Sequence, residues 1–216
     1  VLIRSLTRGA IAVLALAAAT TAQAEAAADL SPEALARAVE CKDGDAYRAI
    51  GESIWSPQQP KWLKSSDRPG QPLGYMEYRV EAPLTVFGRP VDHVGFLTNW
   101  VVIELPRDEA LAVVKAQAME RLPIRIGEQY YRFVDDDHGP MMGVFELSND
   151  ALLALFAPKA PREQAKTLFV GCNYGPVSKA EFLEAASHAD AASDKAAADV
   201  KSMIEDMAKP KAKSKP

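Results

Sequence analysis

The sequence predicts an α+β fold: helices packed on antiparallel sheet, followed by a helical and then disordered C-terminal tail. Three observations carry this expectation. Residues 31–40 and 107–121 place apolar groups at helical spacing, residues 73–80 alternate apolar and polar groups, and two pairs of strand-like segments face each other across short turns. Residues 25–176 hold enough apolar side chain for a single domain to bury its own core.

Ser31-Pro32 opens the first helix, with the hydroxyl placed to accept from a free N–H and the proline ring suited to the first turn. Leu35, Ala38 and Val39 follow at helical spacing, and Cys41 ends the run. A second short helix is expected over residues 45–54. Asp43-Gly44-Asp45 looks like a fragment of a calcium loop but lacks the remaining ligands, so it reads as a turn between helices. Pro57, Pro60, Pro69, Gly70 and Pro72 then mark a long irregular loop. Residues 73–80 read as a half-buried strand with Met76, Tyr78 and Val80 on one face, Glu77 and Arg79 on the other, and Pro83 as its end.

Residues 84–87 and 91–105 read as a hairpin about Gly88 and Arg89, with an unusually long second arm. In that arm His93 and Asn99 share parity with Leu97 and Val101, so a bulge near Gly95 is expected to turn them from the apolar side. Asp108 and Glu109 suit a helix N-terminus, and Leu111, Val114, Ala118 and Leu122 form one stripe, which predicts a helix over 107–121. Residues 128–134 and 141–147 form a second hairpin, Ser148 or Asn149 caps a short helix through Phe156, and residues 166–173 close the domain as a strand. The order helix, three strands, helix, three strands suggests a tandem α-β-β-β duplication, although the residues of the two halves do not visibly match. Ser178 and Glu181 have capping-box spacing and open an Ala-rich helical segment, residues 177–208, with too few large apolar groups to pack strongly. Residues 209–216, KPKAKSKP, are expected to be disordered.

Residues 1–24 read as a cleavable signal peptide. Arg4 and Arg8 supply a positive start, residues 9–19 are apolar but shorter than the roughly 20 residues a spanning helix needs, and Ala22-Gln23-Ala24 offers the small-x-small cleavage pattern. Cleavage is expected after Ala24, with no membrane span in the mature form and a periplasmic destination. In an oxidising compartment Cys41 and Cys172 pair most economically as a disulfide, two buried free thiols being the alternative. The full chain carries a net charge of −4; loss of Arg4 and Arg8 with the signal leaves 23 basic against 29 acidic residues, a net −6. Nucleic acid is therefore not an expected partner, and a protein with a basic face is. The Lys-rich end suggests a weak cell-wall contact.

Nucleophile elbow, Walker loop, dinucleotide fingerprint and HExxH are absent, so no catalytic residue, metal or cofactor is assigned. His93 beside Asp92 has no nucleophile near it in sequence. Asp135, Asp136, Asp137 and His138 gather carboxylates and an imidazole at a hairpin tip, and Trp62 lies between Lys61 and Lys64 in the Pro-rich loop, where exposure is expected. These five residues are the candidate partner-binding set. The expected function is a non-enzymatic periplasmic binding protein, an inhibitor or immunity protein against an envelope-acting toxin or hydrolase. The alternatives are an envelope assembly or scaffold protein and a metal-dependent hydrolase using the loop at 135–138.

Overall fold

The computed structural model describes residues 28–66, 68–69, 71, 74–124, 127–135, 138–147 and 164–208. The expected signal at 1–24, the short helix from Ser148 or Asn149 to Phe156, and the tail at 209–216 lie outside them. The elements are α1 (Pro32–Val39), α2 (Gly44–Ser53), β1 (Leu63–Ser65), β2 (Tyr75–Val86), β3 (Arg89–Leu97), β4 (Trp100–Pro106), α3 (Arg107–Ala116), β5 (Glu120–Arg121), β6 (Gln129–Phe133), β7 (Met141–Phe145), β8 (Thr167–Asn173) and α4 (Lys179–Ala208).

All eight strands join one antiparallel sheet in the order β1-β2-β3-β4-β8-β7-β6-β5, the α+β architecture expected. Two four-stranded meanders, each preceded by helix, meet where β4 pairs β8. The halves run α-α-β-β-β-β and α-β-β-β-β, each one strand longer than the sequence suggested. Three local features hid the extra strands. β1 is three residues long and sits inside the Pro-rich stretch. The long hairpin arm is two strands, because Thr98 adopts a φ of 52° and a two-residue turn closes Leu97 onto Trp100. That turn resets the parity of the strand, so no bulge forms at Gly95, which pairs regularly with Glu77 and Val102. The third helix stops at Ala116 rather than 121, since Ala118 turns to a φ of 49° and frees Glu120–Arg121 to pair with β6.

Pro83 does not end β2. It falls where the register shifts between Arg79 and Leu84, a stretch in which a residue without an N–H removes no ladder hydrogen bond. Two residues of positive φ, Phe87 and Gly88, then turn the chain into β3.

Each early helix is set by its cap. Ser31 Oγ accepts from Ala34 N at 3.1 Å and Asp43 accepts from Ala46 N at 2.9 Å. α1 buries Leu35, Ala38 and Val39 against the sheet, α2 adds Ile50, and α3 adds Ala110 and Val113. The sheet answers with Val101 and Ile103 of β4, Val170 of β8 and Val144 of β7. Tyr174 closes one end of this layer, stacking on Tyr47 at 4.4 Å and donating to Ala38 O at 2.8 Å; burial pushes its phenol up to about 12.

The opposite sheet face is also covered. Glu77, Gly95, Val102, Gly171, Gly143, Tyr131 and Glu120 pair in one row across seven strands. Where glycine leaves room, aromatic rings lie down: a Cβ on Gly95 would come within 1.9 Å of the Tyr75 ring, and one on Gly143 within 2.4 Å of the Trp100 ring. The start of α4 extends this layer. Ser178 and Glu181 make the reciprocal capping box, and the Phe182 ring lies 5.1 Å from Tyr131 and 5.9 Å from Phe133. The helix therefore docks through its first turns, contrary to the expectation of weak packing, because Phe182 and Leu183 supply the apolar contact. Beyond Ala186 its described side chains are mostly exposed.

Candidate functional site

The expected disulfide is present. Cys41, held at a φ of 59° just past α1, bonds Cys172 in β8 across 131 residues of sequence, with Cα atoms 5.1 Å apart. It fixes the end of α1 over the sheet, and this position defines one wall of the site below.

The candidate partner-binding residues do not come together. Trp62 precedes β1 at one sheet edge, whereas Asp135 follows β6 near the other. Five strand spacings separate β1 from β7, about 24 Å at ~4.8 Å each. Trp62 is half-buried and packs against the main core; the exposed tryptophan is Trp55, at 73 %, just past α2. Leu63 explains the difference, since it is fully buried at the start of β1 and draws the preceding indole inward. Asp135 and His138 are exposed, and His138 bridges Ser178 while Gly139 N donates to Val177 O at 3.2 Å, so the far side of the loop is tied to the start of α4. Asp136 and Asp137 lie outside the described residues. Among the described residues no three His, Cys, Asp or Glu groups converge as a metal requires.

A buried carboxylate that the strand pattern placed in solvent lies on the second sheet face. Glu77 is 3 % exposed, because the loop before β2 folds across that face. Arg68 pairs with Glu77 at 2.7 Å and Glu104 at 2.7 Å; Ser66 donates to Glu77 at 2.7 Å, Gln71 to Glu77 at 3.2 Å, and Thr167 to Glu104 at 2.6 Å. All four carboxylate oxygens have partners among the described residues, so the cluster is a clamp holding the loop. Burial works against the charge of Glu104, but Thr167 and Arg68 outweigh it and hold its carboxyl below the ordinary range. Glu128 behaves alike: burial opposes its charge, and Tyr130 at 2.6 Å with Arg107 prevails. A carboxylate whose folded pKa is depressed adds stability above its unfolded value, about 4.3, and loses it as pH falls through the folded pKa. The melting temperature is expected to hold from pH 7 to about pH 5 and to drop below, and Glu104→Gln should flatten part of that drop in a pH series of thermal melts.

On the helix side, a groove of about 650 Å³ opens between the end of α1, the β2–β3 turn and α3. Its walls include Cys41, Phe87, Val113 and Ala116, and Arg132, Val134 and Met142 also line it. Cys41 and Phe87 are both non-glycine residues at positive φ, the kind of backbone strain that concentrates at working sites. Glu40 secures the turn by accepting from Phe87 N at 2.6 Å and also pairs with Lys42. Arg89 is engaged by Glu109 at 3.0 Å and Phe87 O at 3.0 Å. Arg132 differs: its Nε is buried and has no hydrogen-bond partner among the described residues. Arg132 pairs with Met142, and Met142 with Cys172, so all three point to the helix side of the sheet. The sequence held one signal for it, a cation at the parity of Tyr130 and Val134; the neighbouring Tyr131 and Phe133 are apolar too and mask which face is core.

Comparison with protein-family models, with curated proteins and with solved structures finds no match to this chain, so its site is read from its own geometry alone.

Proposed function

We propose that the chain is exported and works in the periplasm by binding, as an inhibitor or immunity protein that occludes a toxin or hydrolase acting in the envelope. The observation that carries this reading is the groove mouth. Val134 is 45 % exposed there, and the sequence continues directly into Asp135, Asp136 and Asp137. An apolar side chain in water beside carboxylates suits an interface: burial against a partner rewards the valine, and the acids select a partner with a basic face. The Cys41–Cys172 bridge accords with an oxidising compartment, and no helix among the described residues is long and apolar enough to cross a membrane.

The test is capture from an envelope extract on the immobilised mature chain. One stoichiometric basic protein, retained by the native chain and lost from Val134→Asp or from the triple change Asp135→Asn, Asp136→Asn and Asp137→Asn, is the expected result. Retention by both variants would remove the groove mouth as the binding face. A second reading, an assembly or scaffold component, is favoured by α4, whose 30 residues span about 45 Å and whose described side chains dock through the first turns alone, with Met203 56 % exposed. Capture of several envelope components, lost when residues 187–216 are removed, would support that reading instead.

A further inference from the structure

We propose that α4 is a self-association arm, pairing antiparallel with α4 of a second copy of this chain through the stripe Ala189, Ser193, Ala196, Val200, Met203 and Met207. The inference needs no partner protein and stands apart from the protein-binding reading. The stripe continues an interface the fold already makes. Phe182 and Ala186, which dock on the sheet, open an alternation of four and three residues that the sequence carries unbroken to Met207. The described apolar contacts with the domain end at Ala186, and residues 187–208 continue the helix for about 33 Å. Met203, 56 % exposed, stands on that stretch.

Size and charge select the occupant. With the two helices antiparallel about residue 198, Met207 meets Ala189 of the second copy, Met203 meets Ser193, and Val200 meets Ala196. Each layer then sets a large residue against a small one. A parallel pair would set methionine on methionine and alanine on alanine, crowding one end and leaving the other slack. It would also align Lys209, Lys211, Lys213 and Lys215 with their own copies. The antiparallel register instead carries these lysines beside Glu181 and Glu184, which are exposed at the start of the second copy's helix. Asp199 lies near the two-fold axis, where Lys195 at 2.9 Å offsets its charge. The helix also stops in the right place: α4 ends at Ala208 and Pro210 follows, so the paired stretch finishes where the second copy's own domain takes over the stripe at Ala186. An anionic membrane is a poorer fit, since residues 187–208 hold Asp190, Asp194, Asp199, Glu205 and Asp206 against Lys195 and Lys201.

The test is sedimentation of the purified mature protein across a range of concentrations, alongside Ala196→Glu and a chain ending at Ala208. A reversible dimer is expected. It should be at least tenfold weaker in Ala196→Glu, and weaker in the shortened chain, whose dimer should also lose most of its sensitivity to salt. At dilute concentration all three should melt alike, because the described core does not reach beyond Ala186. Orientation is read by mild oxidation of Ser193→Cys and Met203→Cys, the native cysteines being already bonded to each other. A mixture of the two variants should form a crosslinked dimer, and neither variant alone should. A monomer at millimolar concentration, a dimer as tight in Ala196→Glu as in the native chain, crosslinking by Met203→Cys alone, or a monomer that binds phosphatidylglycerol vesicles would each overturn the proposal.

Discussion

Replacing Cys41 and Cys172 together with serine is expected to lower the free energy of unfolding by roughly 3–5 kcal/mol. The bridge closes 131 residues, a loop for which chain entropy allows about 5 kcal/mol, and residual structure in the unfolded chain trims the gain. Both cysteines belong to the main core, at 6 % and 0 % exposure, so the serines also leave hydroxyls in apolar surroundings. Chemical denaturation of the oxidised protein and the double variant would measure the difference. A change under about 1 kcal/mol would mean that the bridge does not tie α1 to β8 in solution.

Gly171→Ala is expected to cost at least about 3 kcal/mol and to reduce the soluble yield sharply. A Cβ at Gly171 would stand 2.1 Å from Val101 O and 2.8 Å from Val102 Cα, both backbone atoms of the strand paired with it. No rotamer relieves such a contact, so β4 and β8 must part at the seam that joins the two meanders. Gly143→Ala meets only the end of the Trp100 ring, which can tilt away, and should cost less. Thermal melts of the two variants would rank them, and equal melting temperatures would contradict the crowding at the seam.

Elements with local signals were legible from the sequence. Ser31-Pro32 and the Ser178–Glu181 box each act within four residues and cap the helix expected of them, while Asp43, read in the sequence as part of a turn, caps α2. The β6–β7 hairpin and β8 were also expected, and β7 and β8 are continuous buried runs rather than alternating strands. What failed depended on contacts distant in sequence. Glu77 alternates as a solvent-facing residue should, yet a loop pinned by Arg68 covers it. Three-residue β1 and two-residue β5 form only because long neighbours offer them an edge, and neither segment carries a pattern long enough to detect. The likeness of the two halves was read from element order alone; the sheet adds a mirrored strand order, with Gly95 and Gly143 occupying matching places beside the central pair. The candidate loop at Asp135 was legible as a cluster. Its relation to Arg132 and the groove was not, because that relation needs α1 and α3 placed over β6.

The central claim is that this chain acts by occluding another protein, and the most direct measurement is a titration of the captured partner's activity with the purified mature chain. Inhibition that saturates at one chain per partner, and that is relieved by Val134→Asp, is the predicted result. A partner whose activity is untouched at equimolar and tenfold excess protein would contradict the claim.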